Sequence, residues 1–345
     1  MFNNKSLPYL LLGFCVVMVA SYAGNQIKKK FADTEAVDEY SLVKKYLLND
    51  SAMYGKNRPK LWIHSKYEVN ARKWKNFMSR NSTDLNQPYL YLTIQSVINH
   101  CGDDFHICLV DDESFEKLIP SWTIDLSQTP EPMRSHYRDI GMTQLLYIYG
   151  GIRVPNSFLC TKSLIEIYKQ GCANKQPFIS EKRNLTTQGG LYVPDIQFMG
   201  AKKEDSKLED MIQIMNRMYS GHFQHQTEFK GAMEEWCKTQ IENHEMQLVD
   251  GKLIGIKTAV GKPILLEDLM SSDFLDMDTT LLHGIYIPSQ ELLRRPKYQY
   301  YAILPTEDVL EADNILSKYF KMSMVDGVDE YYKKRNHQSS SIIAI

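Results

Sequence analysis

The sequence predicts an α/β domain built on an open sheet with helices on its faces. Short apolar runs bounded by turn residues alternate with longer stretches of helical periodicity, and this alternation is typical of the fold class. The 345 residues are 43% hydrophobic and 24% charged, the balance of a globular chain long enough to bury one large core.

The first half of the globular part has the clearest order of elements: strand, helix, strand, helix, helix, strand. Pro88 suits the first turn of the first helix, and Gly150-Gly151 end the third, because glycine takes left-handed backbone conformations easily. In open α/β sheets ligands bind beyond the carboxyl ends of strands, so Asp111-Asp112 and 155–157 mark a candidate site. The predicted segments are 58–64, 89–100, 105–110, 113–118, 133–149 and a strand from 152.

The second half is predicted to add two strands, a helix and a hairpin. The strands cover 176–180 and 196–200, and the helix after them carries an apolar stripe that packs into the core. Asp250-Gly251, within 247–254, predicts the turn of the hairpin. The stripe consists of Leu208, Met211, Ile212, Met215 and Met218.

An apolar run without charge covers residues 7–23. It fits a membrane anchor flanked by the lysines at 28–30, or a signal peptide cut after Ala23. The positive-inside rule favours a cytoplasmic body, whereas a protein of the secretory lumen has the opposite orientation, so the orientation stays open. We expect a single-pass membrane protein with a tail (1–6), an anchor (7–23), a stem (24–57), an α/β domain (58–320) and a C-terminal tail (321–345).

Composition and motifs argue against several classes of function. The formal net charge is −2, and no basic patch with interleaved aromatic residues indicates nucleic-acid binding. The sequence has no Walker loop, no Gly-x-Gly-x-x-Gly, no Gly-x-Ser-x-Gly and no His-Glu-x-x-His, and its six cysteines lack zinc spacing.

One segment carries a family resemblance. Asp139, followed by Leu146-Tyr147-Ile148-Tyr149-Gly150-Gly151-Ile152, resembles the central motif of the DxD sugar-binding and capsular-polysaccharide glycosyltransferases. Those families show Ser-Asp-x-x-Arg, then Leu-Tyr-x-Tyr-Gly-Gly-Ile, then Asp-x-Asp. Residues 59–64, 110–112 and 196–200 resemble further strands of these enzymes in the same order, and the likeness covers about 58–290.

The resemblance implies a GT-A-like fold, in which an open mixed sheet flanked by helices binds a nucleotide-sugar. Such a protein transfers the sugar to a glycan or a protein. The whole chain is also similar to glycosyltransferase-like proteins of large DNA viruses and algae. The implied location is therefore a membrane of the secretory pathway, of a virion or of a virus factory.

The resemblance also assigns residues to the donor site. The family's donor-contacting role falls on Asp139. His64 and Trp62, on the first strand, are placed beside the nucleotide, although Trp62 is equally suited to the core. Asp111 and Asp112 follow the next strand and are assigned to the nucleotide pocket, where they could carry a metal. The alternative is a loop role, with Asp112 capping the helix after them.

The chain departs from the family where a metal would be held. Pro155 and Ser157 stand at the two Asp positions of Asp-x-Asp, and Met142 stands at the family's Arg. Hard cations take oxygen ligands, and proline offers none from its side chain. We therefore expect no cofactor, with Mn²⁺ or Mg²⁺ binding only if other acidic groups supply the ligands.

Arg153 is the candidate replacement for the metal. In an extended strand it shares a face with positions 155 and 157, and a guanidinium binds phosphate through two parallel hydrogen bonds. The alternative is an ordinary solvated arginine. Two functional hypotheses follow: a metal-independent glycosyltransferase, and a catalytically degenerate member of the fold that serves as a structural, assembly or carbohydrate-binding protein.

Overall fold

The computed structural model describes residues 58–65, 87–185, 190–220 and 226–324. The predicted anchor at 7–23, nearly all of the stem and the tail from 325 onward lie outside these ranges. Within them, no helix is both long enough and apolar enough to cross a bilayer. The strands are β1 (Lys60–His64), β2 (His106–Val110), β3 (Gly151–Arg153), β4 (Phe158–Cys160), β5 (Phe178–Arg183), β6 (Tyr192–Ala201), β7 (Gln247–Val249) and β8 (Gly284–Tyr286).

Eleven helices are described between and after these strands. They are α1 (Tyr89–Cys101), α2 (Ser114–Leu118), α3 (Met133–Tyr149), α4 (Ile165–Gly171), α5 (Ser206–Ser220), α6 (Gln226–Glu242), α7 (Leu266–Leu269), α8 (Ser289–Arg294), α9 (Gln299–Ala302), α10 (Thr306–Glu311) and α11 (315–324).

The main sheet has six strands in the order β2-β1-β3-β6-β5-β7, and β4 pairs with β8 in a separate two-stranded sheet. β1 runs parallel to β2 and β3, and β5 runs parallel to β7, whereas β6 is antiparallel to both of its neighbours. Of the six strands of the main sheet, only β6 therefore runs antiparallel to the others. The predicted open mixed sheet flanked by helices is confirmed at this level.

The sheet and its helices share one large core. α3, α5 and α6 pack against the sheet through buried residues that include Leu146, Met211, Met215 and Cys237. A second cluster joins α1 and β8 to the C-terminal helices around Tyr301 and Phe320. The predicted core stripe of α5 is confirmed, because four of its members are buried: Leu208, Met211, Met215 and Met218.

The paired glycines connect α3 directly to β3. Gly150 has φ +67° and its N–H donates to Leu146 O at 2.8 Å, which closes the helix. Gly151 has φ +111°, and a Cβ there would lie 2.1 Å from Lys60 O on the neighbouring strand. Both positions need glycine, so this turn brings the end of α3 and the start of β3 close to β1.

Two local predictions are wrong. The segment 247–254 is not a hairpin: β7 pairs in parallel with β5, and turns follow it at 251–255. Gly251 N donates to Glu181 Oε2 at 3.1 Å, so Asp250-Gly251 turns the chain back along β5 instead of into a second strand. Asp112 does not cap α2, whose N-cap position is Glu113. Asp111 instead closes the turn before the helix, where it accepts hydrogen bonds from Ser114 N (2.9 Å) and Ser114 Oγ (2.7 Å).

Candidate functional site

A cavity of about 1690 Å³ opens at one edge of the main sheet. His64, Arg153 and Lys182, which lie at the carboxyl ends of β1, β3 and β5, line it. β6 runs the other way, so its first half, with Asp195 and Gln197, lies at the same edge. Single-ligand sites commonly measure roughly 300–1,000 Å³, so this cavity has room for an extended ligand or two ligands.

Asp139, Arg153 and Gln197 form a closed polar triad on the cavity wall. Arg153 Nη2 donates to Asp139 Oδ1 at 2.6 Å and to Gln197 Oε1 at 2.7 Å, while Gln197 Nε2 donates to the same Asp139 Oδ1 at 2.7 Å. Asp139 and Arg153 are each 4% exposed. The pairing ties α3, β3 and β6 together at the point where the cavity begins.

The second terminal nitrogen of the Arg153 guanidinium is not part of the triad. Nη1 is buried and has no hydrogen-bond partner among the described residues. A buried donor without a partner costs on the order of 1–3 kcal/mol, and a ligand oxygen would remove that cost. Arg153 is therefore not the ordinary solvated arginine that the sequence left open.

A second ion pair lies beside the triad. Arg138 Nε donates to Asp112 Oδ1 at 2.7 Å, Arg138 Nη2 donates to Asp112 Oδ2 at 2.5 Å, and His64 Nε2 lies 3.0 Å from Asp112 Oδ1. Burial by itself would raise the pKa of Asp112, but the hydrogen bonds from Arg138 and His64 hold it well below its usual range. His64 also stacks on Phe115, with ring centroids 5.6 Å apart.

The other sequence-predicted residues occupy different environments. Trp62 is completely buried in the core, where its Nε1 donates to Gly150 O at 2.9 Å, and it does not line the cavity. Asp111 is used in the turn before α2 and does not line the cavity either. Asp139 and Arg153 line it, as do both positions of the degenerate motif, Pro155 and Ser157.

The segment 155–157 is held by the fold. Ser157 is 2% exposed, and its Oγ donates to Ile287 O at 3.0 Å. Asn156 O accepts a hydrogen bond from Thr93 Oγ1 at 2.5 Å. These bonds attach the segment to α1 and to the residue after β8, so the serine hydroxyl already has an internal partner.

A further polar cluster lines the cavity along β5 and β6. Lys182 Nζ lies 2.7 Å from Glu234 Oε1 and 3.7 Å from Asp195 Oδ1. Burial would lower the pKa of Lys182, but Asp195 and Glu234 raise it above its ordinary value, so the ammonium stays charged. Burial and the Asp195 carboxylate raise the pKa of the Tyr286 hydroxyl well above its ordinary value, so Tyr286 keeps its proton.

Sequence reasoning did not single out Arg138, Lys182, Asp195, Gln197 or Tyr286. Arg138 precedes Asp139 on α3, and Asp195-x-Gln197 places polar residues two apart in an otherwise apolar strand. Polar residues inside a buried strand need partners, and this was the available signal. Lys182 and Tyr286 lack such a signal, because each lies at or next to the end of a short strand whose position depends on the tertiary fold.

Among the residues that the structure describes, no three His, Cys, Asp or Glu side chains lie together in a way that could hold a metal ion. Two aspartates of the cavity wall each lie beside a cation of the protein: Asp139 pairs with Arg153, and Asp195 lies beside Lys182.

No protein-family model matches the chain, and no curated protein sequence matches it. One solved structure to which it is similar is the crystal structure of the apo-form glycosyltransferase GlyE of Streptococcus pneumoniae TIGR4. The two are 8% identical, with a TM-score of 0.32. The match covers 57% of this chain and 46% of that chain, so it spans less than half of the GlyE chain.

Proposed function

We propose that this chain is a glycosyltransferase-family protein of GT-A-like fold whose cavity binds a nucleotide-sugar without the usual Asp-x-Asp metal site. The observation that carries the proposal is Arg153, a buried cation with one unpartnered nitrogen on the wall of a large cavity. It lies two residues before Pro155, where the resembled families begin the acidic motif.

The chemistry of sugar transfer gives Arg153 a specific task. When the bond between the sugar and the diphosphate breaks, negative charge builds up on the diphosphate. A preorganised positive partner at that point contributes about 3–4 kcal/mol to transition-state stabilisation. A guanidinium can supply it through charge-assisted hydrogen bonds to two phosphate oxygens, as a divalent cation does in related enzymes.

The closed triad supports a second candidate function. Asp139, which the resemblance assigns to the donor, already accepts hydrogen bonds from Arg153 and Gln197. A carboxylate used in this way holds the fold together and has less capacity left for a ligand. This favours a catalytically degenerate protein that binds carbohydrate or serves in assembly, so nucleotide binding is the property that separates the two candidates.

Calorimetric titration of the protein with UDP, GDP, UDP-glucose and GDP-mannose tests the proposal. Each compound is titrated once in EDTA and once with Mn²⁺. We expect at least one of them to bind in EDTA. Arg153→Lys keeps the charge, but its single nitrogen cannot bind Asp139 and Gln197 in place of Nη2 and also bind a phosphate in place of Nη1, so nucleotide binding should weaken roughly tenfold or more. Arg217→Lys, an exposed arginine on α5 that does not line the cavity, is the matched control.

Three results would contradict this proposal. Binding of none of the four compounds would favour the degenerate candidate. Binding that requires Mn²⁺ would mean that other carboxylates assemble a metal site. Equal affinity in wild type and Arg153→Lys would remove Arg153 from the donor site.

A further inference from the structure

The polar cluster on β5 and β6 contains one atom that the fold leaves unsatisfied. Asp195 is 2% exposed and lines the cavity, and its Oδ2 is buried without a hydrogen-bond partner among the described residues. The other oxygen, Oδ1, faces Lys182 Nζ at 3.7 Å. Oδ1 also accepts a hydrogen bond from Gln197 N at 3.4 Å, and the Tyr286 hydroxyl interacts with the same carboxylate. Oδ2 still lacks a donor within hydrogen-bond distance among the described residues, and burying a carboxylate oxygen without one is costly. A donor belonging to a ligand would remove that cost.

The backbone of β6 is irregular at this point. Ile179 of β5 pairs with Met199, but the next residue, Ser180, pairs with Asp195, so residues 196–198 have no partner in the β5 register. Irregularities of this kind turn side chains away from their regular alternation and are frequent beside active sites. Here Gln197 reaches the Arg153 triad, whereas Asp195 faces Lys182 and Tyr286.

The surroundings of Asp195 select the kind of donor that fits. A second cation is disfavoured because Lys182 already carries a positive charge beside the carboxylate. An anion is disfavoured by Asp195 itself and by Glu234, which lies 2.7 Å from Lys182 Nζ. A neutral hydroxyl group remains, and it can donate to Asp195 Oδ2 without adding charge to the cluster.

We propose that Asp195, with Lys182 and Tyr286 beside it, forms a subsite for sugar hydroxyl groups that is separate from the anion-binding position at Arg153. The choice of a sugar as the ligand rests on the proposed function. Arg153 and Asp195 line the same cavity, so a nucleotide-sugar bound with its diphosphate at Arg153 would bring sugar hydroxyls into the space that Asp195 lines. The cavity, at about 1690 Å³, has space for both.

Saturation-transfer NMR with free glucose, galactose, mannose and N-acetylglucosamine, with and without UDP, tests the subsite. We expect at least one sugar to bind to the wild type. Asp195→Asn places an amide donor where the hydroxyl needs an acceptor, so binding should weaken on the order of tenfold or more. Asp273→Asn, which makes the same change at an exposed aspartate that does not line the cavity, should bind as the wild type does.

The outcomes separate the subsite from the nucleotide site. Sugar binding lost in Asp195→Asn, with UDP or GDP affinity unchanged in that variant, supports the subsite. Sugar binding without any nucleotide binding keeps the subsite and overturns the proposed function. Failure of all four sugars to bind, or equal binding by wild type and Asp195→Asn, overturns the subsite whether or not nucleotides bind. The thermal unfolding midpoint of Asp195→Asn checks that the variant is folded.

Discussion

At the scale of single residues, two buried arginines on the cavity wall are each paired with an aspartate, of which Asp139 is buried and Asp112 is partly exposed. Arg153 pairs with Asp139, and Arg138 pairs with Asp112. Both arginines are 4% exposed, so each charge relies on its partner instead of on water. Removing one member of such a pair leaves an uncompensated buried charge, which is far more costly than removing both.

The Arg153–Asp139 pair leads to a stability prediction. We expect Arg153→Met to lower the free energy of unfolding by about 3–5 kcal/mol, because Asp139 is left charged and buried. The double variant Asp139→Asn/Arg153→Met should be more stable than Arg153→Met alone, since no charge remains. Urea unfolding of the wild type, the two single variants and the double variant measures this coupling. Strictly additive losses would mean that the two side chains do not stabilise each other.

Asp112 leads to a prediction about pH. Its pKa in the folded protein lies below the value of about 3.9 expected in the unfolded chain. The pair therefore adds stability above that unfolded value, and this contribution is lost as pH falls below about 4 towards the folded pKa. We expect Asp112→Asn to be less stable than the wild type at pH 7, with the difference shrinking at pH 3.

The matched control for this measurement is Asp273→Asn, at an exposed aspartate. It should change the unfolding free energy little at either pH. If the difference between wild type and Asp112→Asn stayed constant from pH 7 to pH 3, Asp112 would not be held ionised by Arg138 and His64.

At the scale of elements, the turn between α3 and β3 explains why the end of α3 and the start of β3 could be predicted from the sequence. Helix α3 begins and ends where the periodicity and the paired glycines predict, at Met133 and Tyr149. The glycines are decisive because each has a positive φ and a close backbone neighbour. Local sequence thus fixes the helix end and the direction of β3 together.

Gly151→Ala should disrupt this junction. The added Cβ would meet Lys60 O and the residue would be strained at φ +111°, so we expect a loss of about 3 kcal/mol or more in unfolding free energy. Gly231→Ala on α6 is the opposite case, because no atom lies within 4 Å of its Cβ position. There alanine should stabilise the helix by roughly 0.5–1 kcal/mol. Equal effects in denaturant unfolding would contradict the close contact between β3 and β1.

Other elements were not predictable from local sequence. Asp250-Gly251 has the composition of a hairpin turn, but Glu181 on β5 accepts the Gly251 N–H and the chain turns elsewhere. Asp111 and Asp112 are chemically identical neighbours, but Asp111 binds Ser114 in the turn before α2, whereas Asp112 binds Arg138 of α3. In both cases a partner distant in sequence decides the local structure.

At the scale of the whole molecule, the cavity arises from strand directions. β1, β3 and β5 end at one edge of the sheet, and the reversed β6 brings Asp195 and Gln197 to the same edge. The sequence could predict that Asp139, His64 and Arg153 belong to a site at this edge, because each lies near a predicted strand end or in the resembled motif. It could not predict their partners, since Gln197 is 44 residues from Arg153 and 58 from Asp139.

If Arg153 takes the place of a metal ion towards a nucleotide diphosphate, a crystal structure of the protein with UDP, grown with Mn²⁺ present, will show it. We expect diphosphate oxygens within hydrogen-bond distance of the Arg153 guanidinium and no manganese ligated by the chain at 155–157. A diphosphate bound elsewhere, or held by manganese on carboxylates of this chain, would contradict it.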